Sequence, residues 1–82
     1  MNKSKLIRIA RDYVEIPDDA SQIEYDCYDD IYQLSFLNEV QMDISGASTQ
    51  YFTTVTLTGN TLEIKGRATE PWEDTWSKTI EL

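Results

Sequence analysis

Residues 23–36 read IEYDCYDDIYQLSF, and the conformation of this stretch decides the fold of the chain. If Asp29 and Asp30 form a two-residue turn, the flanking residues pair across two strands with apolar side chains on one face. Those apolar pairs are Cys27 with Tyr32, Tyr25 with Leu34, and Ile23 with Phe36. On the other face, Asp26 meets Gln33 and Glu24 meets Ser35. The pattern predicts a β-hairpin.

A helix is the alternative for the same stretch, because Ile23, Cys27, Ile31 and Leu34 are also spaced as one face of a helix. Tyrosine, aspartate and cysteine are poor helix formers, which argues against it. Asp-Asp is, however, a weaker turn signal than Asn-Gly. We favour the hairpin and keep the helix as an alternative. The choice matters because a helix would scatter the carboxylates of this stretch.

An amphipathic helix is predicted over residues 3–14, before the hairpin. Its apolar residues lie within an arc of about 160° on a helical wheel, with basic residues opposite. Asn2 or Ser4 can cap its start, and Pro17 marks the exit into a turn.

Further strands are predicted after the hairpin. The second hairpin strand continues through Ile44, with a bend at Asn38, and a loop follows over residues 45–48. Alternation from Tyr51 to Leu57 then leads into a Gly59-Asn60 turn and a returning strand. The terminal TWSKTIEL alternates again, with Trp76, Ile80 and Leu82 on one side. The predicted fold is therefore α+β: one amino-terminal helix packed on a five-stranded antiparallel meander sheet.

Composition restricts the class of protein. The 82 residues are expected to form a single compact domain, 1–82, with one small core. A lone cysteine excludes an internal disulfide, and no apolar stretch has the length of a signal peptide or membrane span, so we expect a cytoplasmic protein. The net charge of -8 disfavours direct contact with nucleic acid or an anionic membrane.

The acidic residues are distributed very unevenly. From Asp12 to Ile64 the chain contains eleven carboxylates and no Lys, Arg or His. In the hairpin register, six of them share one edge of the outer sheet face. These are Glu24, Asp26, Asp29, Asp30, Glu39 and Asp43. Such a row can imitate phosphates and attract a basic protein, although a solvated face that only maintains solubility is the plain alternative.

Four apolar residues fall on the same outer face: Tyr28, Ile31, Leu37 and Phe52. Apolar anchors rimmed by acids are typical of a protein interface. The alternatives are that strand twist buries some of them or that a homodimer covers them. The predicted partner-binding set consists of these four residues and the six acids.

Other chemistry is weakly indicated. The acids lack the spacing of a calcium-binding loop, so no metal site is predicted. There is no histidine and no glycine-rich phosphate loop, and we expect neither a catalytic site nor a cofactor. Cys27 alternates with Tyr25 and Ile23, which predicts a core thiol.

Two functions follow as hypotheses. The first is a small acidic binding or inhibitor protein that occupies a basic surface of a partner, such as a nucleic-acid enzyme. By analogy of size and charge alone, this is similar to phage and mobile-element inhibitors and to immunity proteins. The second is an assembly module that uses the outer sheet face or a strand edge. The chain is expected to be a monomer or a homodimer.

Overall fold

One α-helix packs on an antiparallel sheet in the computed structural model, which describes residues 1–41, 48–68 and 75–82. Helix α1 spans Lys3–Ala10, and a 3-10 turn follows at Ala20–Gln22. The strands are β1 Glu24–Tyr28, β2 Ile31–Gln41, β3 Ser48–Thr58, β4 Thr61–Ala68 and β5 Thr75–Glu81. Their order in the sheet is β1-β2-β3-β4-β5, which confirms the predicted α+β meander. The predicted strand end at 42–44 and most of the 45–48 loop lie outside the described residues.

The first hairpin forms in the predicted register. Cys27 is opposite Tyr32 and Asp26 is opposite Gln33, with the turn at Asp29 and Asp30. The pairing of β2 with β3 is uninterrupted, so the bend expected at Asn38 is not accompanied by a bulge. The helix alternative for residues 23–36 is thereby excluded.

Helix α1 is shorter than predicted, because it ends at Ala10 rather than at residue 14. The Tyr13 amide donates to the Ala10 carbonyl, so the last turn tightens. Tyr13 and Val14 nevertheless remain half-buried against the core, as the apolar arc predicted. Asn2 is the cap, and its Oδ1 accepts from the Lys5 amide at 2.9 Å.

The helix crosses the strands rather than running along them. At one end, the Tyr25 hydroxyl on β1 donates to the Met1 carbonyl at 3.3 Å. Beyond the other end, the Lys78 ammonium on β5 lies 5.8 Å from the centre of the Tyr13 ring. Tyr25 and Lys78 belong to one cross-strand row of the inner face, which runs Tyr25–Leu34–Val55–Ile64–Lys78. The apolar members of that row are buried in the same core cluster as Leu6 and Ala10.

Cys27 is exposed, so the prediction of a core thiol is wrong. Its side chain has inner-face parity, but it lies one row beyond Tyr25 and next to the hairpin turn. An eight-residue helix is only about 12 Å long. It is too short to cover the whole inner face, and this corner of β1 stays exposed. Leu82, expected on the inner side, is also exposed because it follows the end of β5.

The second hairpin has the predicted pairs, with Leu57 opposite Leu62 and Val55 opposite Ile64. Gly59 adopts φ +60°, the left-handed conformation that glycine tolerates best. All four apolar residues are buried. This hairpin forms the centre of the hydrophobic core.

Candidate binding surface

The strand register assigns the outward-facing side chains to cross-strand rows on the face away from the helix, here called the outer face. From the turn end of β1, the rows are Tyr28–Ile31–Thr58–Thr61–Glu81, Asp26–Gln33–Thr56–Glu63–Thr79, Glu24–Ser35–Thr54–Lys65–Ser77 and Leu37–Phe52–Arg67–Thr75. Polar residues occupy the centre, where the Gln33 amide donates to the Thr56 hydroxyl at 3.1 Å. The charged and apolar residues therefore lie around a neutral middle.

Four of the predicted acids come together at the margin of the sheet: Glu24, Asp26, Asp29 and Asp30, here called the acidic edge. Glu24 and Asp26 are alternate residues of β1, so both side chains lie on the outer face. Asp29 and Asp30 form the turn that follows, and Asp29 adopts φ +52°. All four are exposed. Strand alternation and the turn together place these carboxylates on one side of the molecule.

Within the described residues, no carboxylate of the acidic edge forms an ion pair. Among the described residues, the ion pairs are Arg11 with Asp18 at 3.5 Å and Lys65 with Glu63 at 3.4 Å. Neither pair includes a residue of the acidic edge. The negative potential of these carboxylates is therefore directed toward solvent.

The structure describes the strand position of one of the other two predicted acids, Glu39. Glu39 is opposite Gln50, near the end of β2 that is farther from the turn. Asp43 lies outside the described residues. Of the six predicted carboxylates, the structure therefore brings four together and places Glu39 apart from them, and it leaves Asp43 untested.

The predicted apolar residues form two separate pairs. Tyr28 and Ile31 are register partners beside the turn, and Tyr28 is 66% exposed. Leu37 and Phe52 are also register partners, each 46% exposed. Ile31 and Leu37 are six positions apart on β2, which corresponds to roughly 20 Å along the strand. Ile31 is diagonal to Asp26 and Leu37 is diagonal to Glu24, so the two pairs adjoin opposite ends of the acidic edge.

Two cations on the outer face were not identified from the sequence. Lys65 and Arg67 alternate with the buried Ile64 and Gly66 of β4, so their side chains lie on the outer face. Together with Phe52 they line an open depression whose polar wall includes Thr75. Alternation from Leu62 could have placed them there. They lie three strands from β1, about 14 Å away, so they do not neutralise the acidic edge.

Two side chains near β1 have shifted pKa values with clear causes. Partial desolvation raises the pKa of Tyr25, and the neighbouring Cys27 adds to the effect. Hydrogen bonds from the Ser21 hydroxyl and then the Ser21 amide lower the pKa of Asp19. Asp19 thereby caps the 3-10 turn that leads into β1.

No cluster of three or more potential metal ligands is found in the described residues. The described helices are too short and too polar to cross a membrane. Comparison of the chain with protein-family models, curated proteins and solved structures finds no match.

Proposed function

We propose that this protein is an acidic binding protein, or inhibitor, that occupies a basic surface of a partner protein through its acidic edge. A nucleic-acid enzyme is the partner class that fits best, because its substrate groove attracts phosphates by the same electrostatics. Tyr28 and Ile31 supply the apolar contact beside the charges. Leu37 and Phe52 lie about 20 Å from that pair, beyond the Glu24 end of the acidic edge.

The observation that carries the proposal is the absence of cationic partners for the acidic edge in the described residues. Like charges gathered on a folded chain repel one another, and a basic partner removes that cost on binding. The exposed Tyr28 gives the same margin a large aromatic contact, the residue type often found at binding hot spots. Charge and apolar contact thus coincide at the turn of the first hairpin.

The test is capture of a partner on the immobilised protein from a lysate of its source organism, with elution by salt and identification by mass spectrometry. The variant Asp26→Asn, Asp29→Asn, Asp30→Asn should recover less of a basic protein than the wild type. Its control removes three exposed charges elsewhere: Asp12→Asn, Glu15→Gln, Asp18→Asn. Equal recovery by both variants would reject the acidic edge as the site.

An assembly module is the second candidate, favoured by the exposed Leu37–Phe52 pair beside Arg67. An apolar pair of this kind can pack against a second copy or a larger protein. Sedimentation at low and high ionic strength separates the two functions. A dimer that persists in high salt and dissociates in the variant Leu37→Ser, Phe52→Ser supports assembly, whereas a monomer at both salt concentrations argues against self-assembly.

A further inference from the structure

Strand β1 forms one margin of the sheet, and in the described part of the chain it pairs with β2 alone. In an antiparallel pair, successive residues direct their backbone N–H and C=O groups alternately toward the partner strand and away from it. A two-residue turn makes Tyr28 and Ile31 a hydrogen-bonded pair. The alternation then directs the backbone groups of Tyr25 and Cys27 away from β2. In the described residues, no backbone bond beyond the ladder with β2 occupies this margin.

The side chains of the same strand divide by parity. Glu24, Asp26 and Tyr28 lie on the outer face, and Tyr25 and Cys27 lie on the inner face. Tyr25 is half-buried, while Cys27, one row nearer the turn, is exposed. A strand added beside β1 would therefore meet carboxylates on one face and an open margin of the core on the other.

We propose that β1 receives an extended basic segment of the partner protein as an added antiparallel strand. Residues of that segment opposite Glu24 and Asp26 would be arginine or lysine, because opposite charges facing each other across strands are stabilising. Residues opposite Tyr25 and Cys27 would be apolar and would cover the exposed corner. The recognised sequence thus alternates cationic and apolar residues, and main-chain hydrogen bonds hold it.

A second copy of this chain is a poor occupant of the same margin. When two β1 strands pair with their outer faces aligned, the carboxylates of Glu24 and Asp26 lie opposite or diagonal to those of the other copy. Like charges in these positions are destabilising. Charged side chains on an edge strand are also a common protection against self-pairing. Charge complementarity therefore selects a basic segment and disfavours a homodimer at β1.

The inference rests on the proposed function, since it specifies how the acidic edge holds its partner. A capped nine-residue peptide of alternating valine and arginine is the probe, and amide chemical shifts of the ¹⁵N-labelled protein report its binding. The control peptide contains the same residues in one valine block and one arginine block. The alternating peptide should bind about tenfold more tightly, with the largest shifts at the Tyr25 and Cys27 amides.

Two changes remove the main-chain bonds without changing charge. Cys27→Pro removes an amide that faces away from β2, so the ladder stays intact, and Cys27→Ser is its control. N-methylation of the valines that face Tyr25 and Cys27 removes the donors of the peptide and does not alter the fold of the protein. Each change should abolish the advantage of the alternating peptide over the block peptide.

The outcomes distinguish the two proposals. Equal binding of both peptides, unaffected by Cys27→Pro or by N-methylation, would overturn strand addition. If that binding were still lost in the variant Asp26→Asn, Asp29→Asn, Asp30→Asn, the acidic edge would stand as the binding surface. Absence of binding to either peptide at low salt would count against both proposals.

Discussion

At the scale of single residues, the most informative contact is a buried polar pair on the inner face. The Thr53 hydroxyl donates to Asn38 Oδ1 at 2.6 Å, and both residues are buried. Asn38 Nδ2 in turn donates to the Glu15 carbonyl at 3.4 Å. The pair therefore joins β2, β3 and the loop after the helix. A buried amide is tolerated here because its polar atoms have partners.

Thr53→Val should lower the free energy of unfolding by about 1–3 kcal/mol, because it leaves Asn38 Oδ1 buried without the hydroxyl donor. Urea denaturation followed by circular dichroism measures the change. Thr54→Val on the outer face is the matched control and should change stability by no more than about 0.5 kcal/mol. Equal effects of the two substitutions would contradict the role assigned to the pair.

Ser21→Ala should raise the pKa of Asp19 toward its ordinary value of 3.8, since the hydroxyl is the largest cause of the lowered pKa. The Ser21 amide would still donate, so the return would be partial. A lowered folded-state pKa contributes stability above the unfolded-state pKa, and that contribution is lost as pH falls through the folded-state value. An NMR titration of the Asp19 carboxyl tests this, and an unchanged midpoint in the variant would contradict it.

At the scale of elements, the first hairpin determines where the carboxylates lie. Its turn contains Asp29 at φ +52°, a left-handed conformation that costs a residue with a Cβ free energy. Aspartate tolerates this conformation better than most residues, although glycine and asparagine are more usual in such turns. The hairpin thus keeps a charged residue at a position where glycine would fit the backbone better.

Asp29→Gly should raise the free energy of unfolding by about 0.5–1 kcal/mol, because it relieves the left-handed conformation. Asp29→Asn separates this effect from the loss of charge, since asparagine also tolerates the left-handed region. Asp30→Gly is the matched control and should not stabilise, because Asp30 lacks a positive φ. Chemical denaturation compares the three variants. Stabilisation by Asp30→Gly but not by Asp29→Gly would contradict the assignment of the strained conformation to Asp29.

The elements were predicted with unequal success, for physical reasons. Two-residue turns and strict alternation determine strand register locally, so both hairpins were predicted pair by pair. The end of the helix was predicted wrongly, because the apolar arc continues through Val14 after regular helix geometry stops at Ala10. Periodicity reports which side chains face the core, and it does not report whether the backbone between them remains helical.

At the scale of the whole molecule, charge is separated across the fold. The acidic edge lies at one margin of the sheet, and Lys65 with Arg67 lies three strands away on the same face. Arg8 is exposed on the helix that covers the opposite face. The net charge of -8 is therefore unevenly distributed, and the repulsion is concentrated at the first hairpin.

Raising sodium chloride from 10 mM to 150 mM should stabilise the protein against urea, because the Debye length falls from about 30 Å to about 8 Å. Several like-charge neighbours, each costing a few tenths of a kcal/mol, give a gain of about 1 kcal/mol. The variant Asp26→Asn, Asp29→Asn, Asp30→Asn should gain less. A fall in the stability of the wild type with added salt would contradict this prediction, because it would mean that attraction between charges outweighs repulsion.

The amino-acid sequence by itself determined the hairpins, the strand order and the parity of Glu24 and Asp26, because turn chemistry and two-residue alternation act between near neighbours. Only the tertiary structure decided that Cys27 is exposed and that the apolar residues form two distant pairs. It also set the distance of three strands between Lys65 and the acidic edge. These features depend on where a short helix crosses the sheet and on how rows align over several strands. No local pattern specifies those distances.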